Sequence, residues 1–387
     1  MKILLCSPIV PSKELGMSKV LIELSEELQG LGWLCKLLSP TDICPEILSY
    51  TGIKYQQYYA EALKNYLQQN ASKYDVIDYD HVYLPYLREK FSNSTLFVAR
   101  SSLLVHHYEN FPIPIQNNLK EKISNFIHRI SRKAMVQGWI RDAMLTILEA
   151  DLINVSNDDD QIELVRRGIP PEKIAVVPYG ISRNRRLLFD TVSSLPPVQP
   201  NVAFVGTFDP RKGSNDFPRI VQYISEAIPN VKFRLIGGRY KTEKEILGHF
   251  SQRLRHKIEV IHNFDSEELP LLLTDCSVGI FPSYLEGFGF GVLEMLAASI
   301  PVIAYNVPGP PMMLPPEHLV PKGDIKGMSD KVISLLHDQQ KLYAARLWAK
   351  QQSQQFSWQN IAQITSETYL RCLEFKRTVN KKSPQLK

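Results

Sequence analysis

The chain has 387 residues, 44% apolar and 22% charged, a soluble globular composition long enough for two domains of ordinary size. Its formal net charge of +5 is mild for this length and argues against a dedicated nucleic-acid binder. No apolar run reaches the ~18 residues of a membrane-spanning helix, and the five scattered cysteines, with no CxxC pair, point to a reducing compartment and no structural zinc.

The N-terminus, "MKILLCSPIVPSKELG", has a short apolar stretch like a signal peptide, but Pro8 and Pro11 interrupt it and it reads as a first buried strand. The next segment, "SKVLIELSEELQGLG", places Val20, Leu21, Leu24 and Leu28 on one helical face. Strand-like runs follow at "LCKLLSP", "YDVIDYD", "TLFVARS", "ADLINVS" and "IAVVPYG". Between "TLFVARS" and "ADLINVS" lies a long stretch of helical pattern, "NNLKEKISNFIHRISRKAMVQGWIRDAMLTILEA", basic along its middle. After the proline-rich "TVSSLPPVQP" the pattern restarts with "NVAFVGTF", "VKFRLIGG", "IEVIHNF", "SVGIFPS" and "IPVIAYN". Continuous β-branched runs separated by helices predict parallel sheets covered on both faces. Two such series predict two Rossmann-like α/β domains, with ligands at the carboxyl ends of strands and a site in the cleft between domains.

The stretch "PSYLEGFGFGVLEMLAASIPVIAYN" carries the most chemistry. Glu286 and Glu294 stand eight positions apart around Gly287, Phe288, Gly289, Phe290 and Gly291. The pattern reads strand, turn, helix, strand. The glycines let a backbone approach a ligand closely, and a helix starting near Phe290 offers N–H groups and a positive dipole end to a phosphate. That start puts Glu294 in the first helical turn. Carboxylates accept from paired sugar hydroxyls. A ligand with a diphosphate in its middle and a hydroxyl-rich ring at each end, a nucleotide sugar, suits this layout. A tight strand–helix turn with two solvated glutamates is the bland alternative.

From Pro282 to Ala304 the chain resembles the retaining nucleotide-sugar glycosyltransferases of the GT-B fold, glycosyltransferase family 4. Other landmarks fall in order: "PSKELGMSKVLIELSEELQGLGW", "ADLINVSNDDDQIELVRRGIPPEKIAVVPYGIS", "FVGTFDPRKGSNDF" and "FSWQNIAQITSETYLRCL". Only about residues 40–95 and 107–145 carry no such motif. The resemblance implies an α/β fold of two Rossmann-like domains whose parallel sheets face a central cleft. Residues 1–190 would form the acceptor-side domain, joined by a C-terminal helix at about 358–376 that crosses back to it. Residues 198–357 would form the donor domain, and 377–387 a disordered tail.

The resemblance also implies roles. Glu286 would bind the transferred sugar. The backbone from Gly287 through Phe288, Gly289, Phe290 and Gly291 to Val292 would hold sugar and diphosphate. Glu294 would take the ribose hydroxyls, and Lys212 in "PRKG" would neutralise the diphosphate, where a cation stabilises the developing charge of the leaving group. Gly16 in "ELGMS" would let the N-terminal loop approach the phosphate. No metal or other cofactor is implied. Two departures stand out. An arginine usual after "VG" is replaced by Thr207, and Arg211 either supplies the missing cation or is a surface residue. The family's "RSH" becomes "RSS", so Ser102 stands in the histidine's place, and His106 is the nearest substitute.

The expected activity is transfer of a hexose with retention, from UDP-glucose by family frequency, to a saccharide or lipid-linked acceptor in bacterial polysaccharide or glycolipid synthesis. The loop "IHNFDSEELP" would lie near the base. The enzyme would be cytoplasmic. The face carrying Lys120, Lys122, Arg129, Arg132, Lys133 and Arg141, within residues 120–141, is a candidate for docking on anionic lipid, against a solvated helix face. No nucleic-acid partner is expected. The alternatives are an NDP-sugar epimerase and a non-catalytic nucleotide-sugar binding protein. A dinucleotide oxidoreductase lacks its G-x-G-x-x-G after the first strand.

Overall fold

A computed structural model describes residues 1–12, 16–111, 119–238 and 241–382, with side chains 13–17, 110, 112–132 and 379–382 outside the described set. The chain divides into two compact units. The first comprises Met1–Pro178 and Trp358–Lys387, the second Tyr179–Ser357.

The first unit holds a six-stranded sheet of β1 (Lys2–Cys6), β2 (Leu34–Leu38), β3 (Val76–Asp80), β4 (Leu96–Ser101), β5 (Leu152–Val155) and β6 (Ile174–Val176), in the order β2-β1-β3-β4-β5-β6. Every pairing is parallel. The central strands are buried on both faces because helices cover both, which is why they read as unbroken apolar runs. The helix Gly16–Gly30 buries Val20, Leu21, Leu24 and Leu28, as its spacing predicts. The predicted long helix runs Leu119–Glu149. Its side chains from Lys120 to Arg132 lie outside the described residues. Further along, Ile140 is buried, while Arg141 is exposed and pairs with Asp142.

The helix Trp358–Lys382 returns to this sheet. Tyr369 donates to Asp78 Oδ2 at 2.6 Å, and Arg100 Nη2 meets the same oxygen at 2.6 Å and the Tyr369 hydroxyl at 3.0 Å. Asn154 donates to that hydroxyl at 2.7 Å. Trp358 Nε1 donates to Glu23 at 2.5 Å, and Trp33 Nε1 to Ser366 at 2.9 Å. These bonds pin the helix across β3, β4 and β5. The helix continues through Lys382, past the expected end near 376, and Lys376 reaches Asp151 at 2.6 Å; the rest of the expected tail lies outside the described residues.

The second unit repeats the design with β7 (Asn201–Val205), β8 (Lys232–Ile236), β9 (Ile258–Ile261), β10 (Val278–Phe281), β11 (Val302–Tyr305) and β12 (Leu319–Val320), in the order β12-β11-β10-β7-β8-β9. All pairings are again parallel. Chain order reverses between β7 and β10, the place where ligands of such sheets bind.

The division falls at Pro178–Tyr179, before the predicted break at 190–198. Hydrogen bonding explains the difference. The buried Arg346 guanidinium donates to the carbonyls of Ser193 at 2.8 Å, Ser194 at 3.1 Å and Cys276 at 2.7 Å, tying the start of the proline-rich stretch to the second sheet. The helix Arg183–Asp190 is held by Arg186 on the carbonyl of Ser353 at 2.9 Å.

Candidate active site

Two loops meet at the switch point of the second sheet. The first leaves β7 as "GTFDPRKG". Asp209 caps a short turn over Pro210–Lys212, with Oδ1 accepting from the amides of Arg211 at 2.9 Å and Lys212 at 3.2 Å. Thr207 orients that cap, its hydroxyl donating to Asp209 Oδ2 at 2.6 Å. The turn ends at Gly213 with φ of 81°, where a Cβ would strike the carbonyl oxygen of Pro282. The loop after β7 therefore lies directly on the loop after β10.

That second loop is tied to the first through Arg211. Its carbonyl accepts from the Tyr284 amide at 2.8 Å and from the Ser283 hydroxyl at 3.2 Å. Tyr284 and Tyr305 both donate to Asp216 Oδ2, at 2.8 and 2.6 Å. Burial, then the Asp216 carboxylate, pushes both phenols upward, so they stay protonated donors. The loop is thereby fixed where Glu286 projects.

Glu286 and Lys212 form an ion pair through Oε1 and Nζ. Ser283 Oγ lies 2.8 Å from the same Oε1. Lys212 Nζ also sits 5.2 Å from the centre of the Phe281 ring. The sequence-predicted pair of Lys212 and Glu286 is thus brought together. Arg211, predicted beside it, acts here through its carbonyl.

Gly289, with φ of 91°, precedes the helix Phe290–Ala297. Tyr179 stacks on Phe290 with ring centres 5.6 Å apart and meets Phe288 edge-on at 5.4 Å. The side chains of Phe288 and Val292 are core, and the Val292 amide donates to the Gly289 carbonyl at 2.9 Å. That amide is engaged inside the turn, and the Val292 side chain packs in the core.

Glu294 is the fifth helical residue, just past the first turn where it was expected, and the first turn holds no acid. Its Oε1 accepts from Arg185 Nη2 at 2.7 Å. Sequence reasoning missed Arg185, which lies 109 residues away and carries no local signal. It missed Asp216 for the same reason, its partners Tyr284 and Tyr305 lying 68 and 89 residues away, whereas Ser283 stands three residues before Glu286, inside the glycine-rich motif. The Asp-Pro pair at the head of the "PRKG" turn is the local signal from which Asp209 could have been read as a cap.

Gly16, Ser102 and His106 belong to the first unit. Gly16 opens the helix Gly16–Gly30, and Ser102 is half-buried just after β4. His106 is 2% exposed, neither ring nitrogen has a hydrogen-bond partner, and burial followed by Arg167 pulls its pKa down to about 3. It is a neutral core imidazole. Its neighbour His107 carries the polar contact, Nε2 to Asp160 Oδ1 at 2.5 Å. Among the described residues, no group of three or more His, Cys, Asp or Glu is placed to hold a metal ion, and no helix is long and apolar enough to cross a membrane.

Residues 190–352 match the protein family described as glycosyl transferases group 1. The segment that matches this group 1 domain contains both loops and both glutamates. The chain is 24% identical over 285 residues to O-antigen chain mannosyltransferase B of Escherichia coli, covering 68% of this chain and 74% of that one. Other curated relatives are matched over about half their length. Sucrose-phosphate synthase from Thermosynechococcus elongatus superposes with a TM-score of 0.70 at 21% identity, over 96% of this chain and 98% of that one. Anabaena HepE in complex with UDP-glucose gives 0.65 at 16%, over 95% and 99%. The fold around the group 1 domain is GT-B.

Proposed function

We propose that this protein is a retaining, metal-independent glycosyltransferase of family 4 type. It moves a hexose from a nucleotide sugar, UDP-glucose foremost, to a saccharide or lipid-linked acceptor in polysaccharide or glycolipid synthesis. The observation that carries this reading is the meeting of Lys212 and Glu286 at the switch point of the second sheet, with Glu294 in the helix that follows.

A cation and a carboxylate side by side suit the two halves of a sugar–phosphate bond. On donor binding Lys212 turns to the diphosphate, whose charge grows as the bond breaks. Glu286, released, accepts hydroxyls of the sugar. The cation beside each glutamate favours the ionised form, so neither is set up as the general acid of a hydrolase. The leaving phosphate is then the group that takes the acceptor's proton, and the protein contributes positioning and charge. The match to a structure holding UDP-glucose supports a nucleotide-sugar donor.

A thermal-shift screen of nucleotide sugars, followed by a transfer assay, tests the proposal. Saturation at about 100 times Kd raises stability by about 2.7 kcal/mol, a clear shift. No shift with any nucleotide sugar, or conversion of the donor to its epimer, would overturn it.

A further inference from the structure

Arg185 is an expensive residue to keep. Its side chain is 6% exposed in the helix Arg183–Asp190, which packs against the helix Phe290–Ala297. A guanidinium carries five N–H donors. Here Nη2 meets Glu294 Oε1 at 2.7 Å, while Nε and Nη1 are buried without a partner. Its Cζ lies 5.6 Å from the centre of the Phe189 ring. Burying donors without partners is unfavourable, and an apolar side chain of the same volume is often at least as stabilising as a buried ion pair. Stability alone does not account for it.

The pair is lopsided. The Glu294 side chain is 11% exposed, so the carboxylate is its more open partner. A carboxylate has about four acceptor sites on two oxygens. Arg185 takes one of these, on Oε1. A glutamate on its own has to give up rotamer freedom when it binds a ligand. One held by a buried guanidinium has already done so.

We propose that Arg185 is a positioning residue for the nucleoside: it holds the Glu294 carboxylate in a single orientation from which both hydroxyls of a ribose are read. This rests on the nucleotide-sugar reading above. Arg185 touches Glu294, not the ligand, and its loss acts on the ribose hydroxyls alone.

The experiment measures binding of UDP, GDP and ADP, and of their 2′,3′-dideoxy forms, by calorimetry. The proteins are wild type, Arg185→Met, Glu294→Gln and the double variant. Wild type is expected to favour the ribose forms by about tenfold or more, since two charge-assisted bonds are at stake. Glu294→Gln and Arg185→Met both reduce that preference sharply while leaving the dideoxy affinity unchanged, and the double variant falls no further than either. An Arg185→Met protein that loses affinity equally for both forms has a structural defect, which overturns the inference. An unchanged preference also overturns it. If Arg185→Met does not fold, Arg185→Lys carries the test, because a lysine keeps the charge without the planar fork. An intermediate preference supports the inference and a wild-type one overturns it. Should wild type itself ignore the diol, the ribose assignment of Glu294 fails, and the inference with it.

Discussion

Gly291 faces the backbone carbonyl of Val205 so closely that a Cβ on it would collide with the carbonyl oxygen. The helix Phe290–Ala297 thus rests its first turn on the end of β7. Gly289, two residues earlier, is needed for a different reason: its φ is 91°, and the nearest atom to its Cβ would be Met313 Cε at 3.6 Å. Gly291→Ala is expected to cost about 1–3 kcal/mol through overpacking and to weaken nucleotide binding as the helix shifts. Gly289→Ala meets no clash and costs about 1–2 kcal/mol through its left-handed backbone. Denaturation and calorimetry on both variants check this. Equal binding by Gly291→Ala and wild type would contradict it.

Glu286→Gln keeps the shape and removes the charge. Transfer is expected to fall by the value of a charge-assisted hydrogen bond, about 1.5–3 kcal/mol or roughly 10- to 150-fold. Nucleotide binding should change little. Steady-state turnover beside nucleotide affinity reads the two effects separately.

Lys212 and Arg211 are adjacent and are expected to behave differently. Lys212→Ala removes the cation facing Glu286, slows transfer and weakens nucleoside diphosphate binding. The contacts of Arg211 with the neighbouring loop run through its carbonyl. Arg211→Ala leaves that carbonyl in place and should be nearly silent in both assays. A severe Arg211→Ala phenotype would show that its side chain supplies charge in place of the arginine absent at Thr207.

His106 makes the first unit sensitive to acid. Its folded pKa is about 3 against 6.5 for an ordinary histidine, because burial disfavours the charged ring. Above pH 6.5 both states hold it neutral. Below that the unfolded chain takes the proton and the folded one does not, so stability drops as pH falls towards 3. Between pH 7 and 4.5 the loss due to this group is about 2–3 kcal/mol. His106→Leu removes it. The urea midpoint of the variant should therefore gain on wild type as pH falls across that range, and a constant gap would show that the ring is protonated when folded.

Asp78 accepts from both Arg100 and Tyr369 with no exposed surface of its own. Asp78→Ala strands a buried guanidinium and should cost about 3–5 kcal/mol. Tyr369→Phe removes a hydroxyl bonded three ways and should cost about 1–3 kcal/mol. Chemical denaturation of the two variants gives the ranking.

The central strands were legible because each is an apolar run with both faces covered, and the edge strands β2, β6 and β9, though partly exposed, keep enough apolar and β-branched residues to show. β12, with two residues, is too short to leave one. The glycine-rich loop was legible for a similar reason: backbone constraints at Gly289 and Gly291 write themselves into adjacent positions. The Arg185–Glu294 pair was not, because one arginine among three in "SRNRRLL" looks like a polar helix face until the fold buries it. The unit boundary was misplaced for the same reason. "TVSSLPPVQP" has linker composition, yet Arg346, about 150 residues later, holds its first carbonyls. Polar contacts over such separations have no period to read.

The helix Trp358–Lys382 makes the first unit discontinuous in the chain. Arg100 waits 269 residues for Tyr369, and Glu23 waits 335 for Trp358. During synthesis the whole second unit is made before those partners exist. The nascent first sheet therefore leaves the ribosome with an unsealed flank, Asp78 and Arg100 paired beneath it but Tyr369 still missing. Stable closure of the first unit waits until the helix Trp358–Lys382 has been made, while Tyr179–Ser357, continuous in sequence, has all it needs to fold beforehand.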